Sequence, residues 1–208
     1  MKRVAIIGAG LLGRQVAHHI RSDQGYEPAG FFDDYAPDAG GDGPLLGRVD
    51  DVDRLFAAGA FDQLIVGIGY MHFAYRWQCF RRFHGRIPIL TFVHSSSWVD
   101  RSARIGAGSF LMPGVVVDDH VVIGENVFMQ LGAAISHHST VGENCFVGPS
   151  AKIAGCVTVG RDCFLGVGSV VTDSVTLCPA VRTGAGAVVA ESIGEAGLYV
   201  GVPARKLR

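Results

Sequence analysis

Residues 135–171 read ISHHSTVGENCFVGPSAKIAGCVTVGRDCFLGVGSVV. Within them an aliphatic residue returns at every sixth position: Ile135, Val141, Val147, Ile153, Val159, Leu165 and Val171. The same grid runs back through Met129, Ile123, Val117 and Leu111 to Ile105, and forward to Leu177. The chain is 49% apolar, so thirteen consecutive hits would arise by chance on the order of once in ten thousand placements. A period of six fits neither a helix, at about 3.6, nor a strand, at 2. It is the mark of a parallel β-helix built from hexapeptides.

The grid carries its own geometry. Three hexapeptides make one triangular coil, so residues 18 apart are vertical neighbours. Grid residues point inward, and so do those two positions earlier, from Ala103, Ser109 and Val115 to Val157, Cys163 and Ser169. All of these are small or β-branched, as a narrow interior requires. The corners fall two and three positions after each grid residue and form three edges. Ala107-Gly108, Glu125-Asn126, Glu143-Asn144 and Arg161-Asp162 make a polar edge that is expected to be solvated. Pro113-Gly114, Leu131-Gly132, Pro149-Ser150 and Val167-Gly168 make a small, apolar one. The third stacks Asp119-His120, His137-His138, Gly155-Cys156 and Asp173-Ser174. After Leu177 the pattern weakens, and Cys178-Pro179 is expected to break it.

Residues 1–92 read differently. Val4-Ala5-Ile6-Ile7 suggests a buried strand, followed by the full GxGxxG of Gly8 to Gly13 and a helix over residues 14–22. Strands are expected at 29–32, 64–68 and 89–92, and a helix at 71–83. Strands alternating with helices imply a parallel sheet with crossover connections. The glycine motif lets backbone N–H groups approach a phosphate at a helix N-terminus. Asp33 lies where a ribose-binding acid belongs in a dinucleotide fold. About 90 residues make only half of such a fold, however, which favours a nucleotide sugar. NAD and a purely structural glycine turn remain alternatives. The chain thus divides into an α/β half-Rossmann domain at residues 1–92 and an all-β β-helix at residues 93–208.

Composition excludes other classes. Net charge is −1, which gives no electrostatic basis for binding nucleic acid or an anionic membrane. No apolar run approaches the length needed to span a bilayer. The apolar start meets Gly-Ala-Gly without a convincing cleavage region, so a buried first strand is expected instead of a signal peptide. Cys79, Cys145, Cys156, Cys163 and Cys178 show no metal-ligand spacing. A cytoplasmic protein without structural metal or disulfide is expected.

AIIGAG, FFDD and IVGIG in the first domain, the 135–171 stretch, and the terminal YVGVPARKLR carry a resemblance over nearly the whole length. The chain resembles the sialic-acid O-acetyltransferase and bacillosamine N-acetyltransferase group of hexapeptide acyltransferases. The resemblance implies a left-handed β-helix and a homotrimer. It implies a nucleotide-linked amino sugar held by the first domain, and acetyl-CoA lying in the groove between neighbouring β-helices. His137 matches the family's general base. The next position, a glutamate in the bacillosamine-type enzyme, is His138 here. Gly8, Gly10, Asp33, Asp34 and Gly69 match the contacts to the nucleotide sugar. Gln130 stands where an active-site asparagine can occur. Phe146, Val167 and Ala185 fall where the family contacts acetyl-CoA, with Phe146 replacing a histidine.

Acyl transfer needs a base to take a proton as nitrogen or oxygen attacks a thioester, and a neutral imidazole suits that task. The expected chemistry is direct N-acetylation with His137 as base and no acyl-enzyme. The eighteen-residue register places Asp119 one coil below His137, where it could orient the ring through Nδ1, and Gly155 one coil above, leaving room for the thioester. His120 and His138 read first as solvated corner residues, although His138 is also a candidate for assisting the base. O-acetylation of a sugar hydroxyl and a non-catalytic nucleotide-sugar-binding scaffold are the rival readings.

Overall fold

The computed structural model describes residues 1–207 apart from 24, 37, 39 and 40. The chain divides into two compact units, Met1–Phe92 and Val93–Arg208.

In the first unit, strands β1 (Lys2–Ile7), β2 (Tyr26–Phe32), β3 (Leu45–Gly47) and β4 (Gln63–Val66) form one parallel sheet in the order β3-β2-β1-β4. Helix α1 (Leu11–Ser22) connects β1 to β2, α2 (Val52–Ala57) connects β3 to β4, and α3 (Phe73–Phe83) follows β4. Every side chain from Val4 to Ile7 is buried, the signature of a strand covered on both faces. Val16, Ala17 and Ile20 of α1, and Phe80 and Phe83 of α3, complete the core. β4 stops at Val66, two residues before the expected end. Its continuation at Gly67 runs against α1: a β-carbon there would stand 2.8 Å from Gly13 Cα. The strand expected at 89–92 reduces to a single bridge from Ile89 to Leu64 and a separate two-residue strand, Phe92–Val93. β3 and α2 had no counterpart in the pattern of the sequence.

In the second unit each hexapeptide contributes one two-residue strand to a left-handed parallel β-helix. Strands pair at a constant offset of eighteen: Phe110 to Phe128 to Phe146 to Phe164, and Val116 to Ala134 to Lys152 to Val170 to Val188. Grid residues from Leu111 to Leu177 are at most 2% exposed. The corners turn because their second residue adopts the left-handed conformation, at every sixth position from Gly108 to Gly186. Glycine, asparagine, aspartate and histidine, which tolerate positive φ more readily, fill most of these places, and serine, cysteine and alanine take the rest.

Two expectations fail here. The coil does not end at Leu177. Val181–Thr183 and Val188–Val189 extend the sheets at the same offset. The grid is disguised because Thr183, fully buried, satisfies its hydroxyl by accepting the Gly166 N–H at 2.9 Å. The polar edge is not simply solvated either. Asn126 and Asn144 are fully buried, and the Asn126 amide donates to Asn144 Oδ1 at 2.9 Å. The Asn144 amide donates in turn to Asp162 Oδ1 at 2.6 Å.

Candidate functional site

The strand order of the first unit reverses between β1 and β4, and in open α/β sheets ligands bind beyond the strand ends at such a point. Gly8 follows β1 with φ +105°. Gly10 caps α1, and Gly69 caps the 3-10 turn Tyr70–His72 that leads into α3. Neither cap carries a side-chain hydrogen bond, and a β-carbon at Gly10 or Gly69 would meet nothing within 4 Å. Two helix N-termini therefore present bare N–H groups, a setting suited to an anion.

Asp33 and Asp34 lie beside these turns, but both carboxylates serve the fold. Asp33 Oδ2 accepts the Ala9 N–H at 2.8 Å, and Oδ1 accepts those of Tyr35 and Ala36 at 2.8 and 2.9 Å. Burial raises the Asp33 pKa, yet the three N–H donors outweigh it and hold the group below the ordinary carboxylate value. Asp34 accepts from the Tyr75 hydroxyl at 2.7 Å and from the Val49 N–H at 3.1 Å. The aspartates thus brace the glycine turn and the chain after β2. Sequence reasoning missed Leu11 and Tyr35, which are 87% and 89% exposed next to Gly10 and Asp34. Met71, 70% exposed beside Tyr70, is a third large apolar side chain in solvent.

In the second unit Asp119, His137, His138 and Gly155 share one edge. Backbone hydrogen bonds tie its coils: His138 N–H to Asp119 O at 2.9 Å, and Cys156 N–H to His137 O at 3.0 Å. His137 is exposed. Its ring lies over Gly155, where a β-carbon would stand 2.6 Å from both Cε1 and Nε2. The space above Gly155, expected to admit a thioester, is filled by the imidazole.

Asp119 does not reach His137. Its Oδ2 lies 3.1 Å from His120 Nδ1 and 3.8 Å from His138 Nδ1. The hydrogen bond from His120 holds the Asp119 carboxyl below its ordinary range. The reason is directional. The left-handed residues His120 and His138, at φ 55° and 57°, turn their rings into a stack with centroids 4.8 Å apart. The His137 ring turns the other way, onto the next coil. It meets His138 edge-on at 5.5 Å and 77°.

The remaining candidates lie elsewhere on the β-helix. Val167, 51% exposed, and Ala185, also exposed, belong to the apolar edge together with Leu131. Phe146 is only 5% exposed, stacked between Phe128 at 5.4 Å and Phe164 at 5.8 Å. Gln130 is 8% exposed at the start of the apolar edge, one hexapeptide before the corner of His137. Within one chain, therefore, the exposed donor candidates Val167 and Ala185 occupy a different edge from His137 and Gly155. Among the described residues no helix is long and apolar enough to cross a membrane.

The PglD N-terminal domain family matches residues 3–83, and the bacterial transferase hexapeptide family, with six repeats, matches residues 138–173. A search of the curated proteins finds no match. Among solved structures, the acetyltransferase domain of PglB from Neisseria gonorrhoeae is 25% identical, covers both chains completely and superposes with a TM-score of 0.91. A histidine-to-alanine variant of GDP-perosamine N-acetyl transferase from Caulobacter crescentus, in complex with CoA and GDP-perosamine, is 29% identical. It covers 100% of this chain and 98% of its own, also with a TM-score of 0.91. WeeI from Acinetobacter baumannii, at 21% identity and a TM-score of 0.84, shares the fold. With a PglD-type first domain and a hexapeptide β-helix in one chain, the protein is an acyltransferase that resembles the sugar N-acetyltransferase group of hexapeptide-repeat enzymes over its whole length.

Proposed function

We propose that the chain transfers the acetyl group of acetyl-CoA to the amino group of a nucleotide-linked amino sugar, in the cytoplasm, as a homotrimer. The observation that carries this reading is His137. Its ring is exposed, lies against Gly155, and has no hydrogen-bond partner of its own among the described residues. It is free to accept a proton at Nε2. The Caulobacter crescentus transferase, whose complex holds CoA and GDP-perosamine, supports the choice of donor and acceptor.

The first domain, residues 1–92, takes the nucleotide sugar. The uncapped N–H groups behind Gly8, Gly10 and Gly69 suit its phosphates, with Asp33 and Asp34 bracing the turns and Leu11, Tyr35 and Met71 offering apolar surface. Residues 93–208 take the donor along the apolar edge of Leu131, Val167 and Ala185, in the groove against a neighbouring copy. That neighbour brings the edge of His137 to the edge of Val167, which one chain keeps apart.

The amine nitrogen attacks the thioester carbonyl as His137 Nε2 removes its proton. The oxyanion is met by backbone N–H groups. The intermediate collapses, the C–S bond breaks, and the proton on His137 passes to the departing CoA sulfur. No cysteine is acylated. His138 and Asp119 fix the corner beside the base.

Purified protein is incubated with acetyl-CoA and a panel of UDP-, dTDP- and GDP-linked amino sugars, and CoA release is followed with mass analysis of the sugar. One acceptor is expected to gain an acetyl group on nitrogen, and His137→Ala to abolish turnover with an unchanged circular dichroism spectrum. Acetylation on oxygen, failure with every acceptor, or full turnover by His137→Ala would each reject the reading.

A further inference from the structure

The edge that carries His137 gathers three side chains with a chemistry of their own. Asp119 Oδ2 stands 3.1 Å from His120 Nδ1 and 3.8 Å from His138 Nδ1. The two imidazoles are stacked within 14° of parallel. Two ring nitrogens and one carboxylate oxygen thus lie within 4.8 Å of one another. Ligand atoms around one tetrahedral ion, each about 2.1 Å from it, stand about 3.4 Å apart. The two distances to Asp119 bracket that spacing.

The arrangement is held by the fold. His120 and His138 occupy equivalent left-handed corners, eighteen residues apart. The His138 N–H donates to Asp119 O at 2.9 Å, and the His120 N–H donates to Ser102 Oγ at 2.8 Å. The coil therefore fixes the backbone positions of the ligands, and only the exposed, stacked rings have to tilt for their in-plane nitrogen lone pairs to converge on an ion. All three side chains are open to solvent, at 43% exposure for Asp119, 63% for His120 and 57% for His138.

We infer that Asp119, His120 and His138 form a binding site for a divalent transition-metal ion of the Zn2+, Ni2+ or Cu2+ class, with water in the remaining positions. Two imidazoles and one carboxylate suit these ions, whereas Mg2+ and Ca2+ take oxygen ligands. On binding, a neutral ring that carries its proton on Nδ1 shifts it to Nε2, a doubly protonated ring releases its Nδ1 proton to solvent, and each histidine binds as a neutral imidazole with its N–H on Nε2. His137 takes no part, because its ring is turned onto Gly155. The sequence hides the site because the ligands come from two successive coils and follow no short motif.

Tag-free protein, stripped with chelator and dialysed, is titrated with Zn2+ by calorimetry at neutral pH and with Cu2+ followed by electron paramagnetic resonance. No substrate is needed, so the outcome is independent of the acyl-transfer reading. One ion per chain is expected, with two nitrogens in the Cu2+ spectrum and no heat from Mg2+. His120→Asn keeps a residue that tolerates the left-handed corner. It should weaken binding at least about tenfold, the loss typical of disturbing even a supporting partner of a metal ligand, and leave one nitrogen. A double variant, His120→Asn with His138→Asn, should lose the site while keeping the circular dichroism of the β-helix. Absence of a saturable site overturns the inference, as does affinity or a spectrum unchanged in the double variant.

Discussion

Gly155 and His137 are in contact across one coil: a β-carbon at 155 would stand 2.6 Å from Nε2 and Cε1 of the imidazole, and 3.2 Å from Nδ1. Gly155 is not among the residues with positive φ, so alanine fits its backbone and only the ring has to move. Gly155→Ala is expected to lower kcat by about 100-fold, the scale of an ångström's misplacement of a reacting group. Its melting temperature should stay close to wild type, because an exposed ring can swing into water. Steady-state kinetics beside a thermal melt check this, and an unchanged kcat would mean that the position of the ring against residue 155 does not matter.

The glycines of the first motif have separable roles. A β-carbon at Gly13 would stand 1.8 Å from Gly8 O, where α1 closes on the turn, whereas one at Gly10 meets nothing within 4 Å. Gly13→Ala should destabilise the protein by more than about 3 kcal/mol through overpacking against rigid backbone. Gly10 has φ −71°, so Gly10→Ala should change stability by less than about 0.5 kcal/mol. It should instead raise KM for the nucleotide sugar and leave KM for acetyl-CoA alone. Equal denaturation midpoints for the two variants would contradict this division.

The β-helix was legible because its signal is redundant: each coil repeats the last, and one unbroken grid sets both the inward face and the corners. Its end was not, since a single buried hydroxyl at Thr183 breaks an apolar pattern without breaking the coil. In the first unit the buried runs of β1 and β4 could be read directly. β3, three residues long, and α2, six residues long, are too short to show a period. The eighteen-residue register brought Asp119, His137 and Gly155 to one edge correctly. It carries no information on which way a side chain leaves a corner, and so the partner of Asp119 was misjudged. Likewise, composition marked Asn126 and Asn144 as polar, but only their alignment shows that each amide can bury by bonding the next.

Asp33 makes the turn after β1 sensitive to acid. Its carboxylate accepts three backbone N–H bonds, which hold its pKa below the ordinary 3.8 despite partial burial. A carboxyl group depressed in the folded state stabilises it at pH values above the unfolded pKa. That contribution is lost as pH falls through the folded value. Wild type should therefore exceed Asp33→Asn in stability at pH 7 by about 1–3 kcal/mol, as expected for hydrogen bonds to a charged group. The gap should shrink below about pH 3.8 as the wild-type carboxyl protonates. Denaturant melts of both proteins across this range test the sign, and a gap that widens in acid would refute it.

Asn144 combines a buried ladder with a strained backbone. It accepts from Asn126 and donates to Asp162 while holding φ at 59°. Asn144→Ala removes both side-chain hydrogen bonds, takes from the Asn126 amide this acceptor, and places a β-carbon in the left-handed region without a local polar group to compensate. Lost bonds at about 1 kcal/mol each and a left-handed alanine at about 1 kcal/mol sum to about 3 kcal/mol. Asn144→Gly loses the same ladder but relieves the backbone, so it should be about 1 kcal/mol more stable than the alanine variant. Urea denaturation of the two variants resolves the parts: identical midpoints would remove the strain component, and wild-type stability in both would show that the ladder contributes nothing to the folded state.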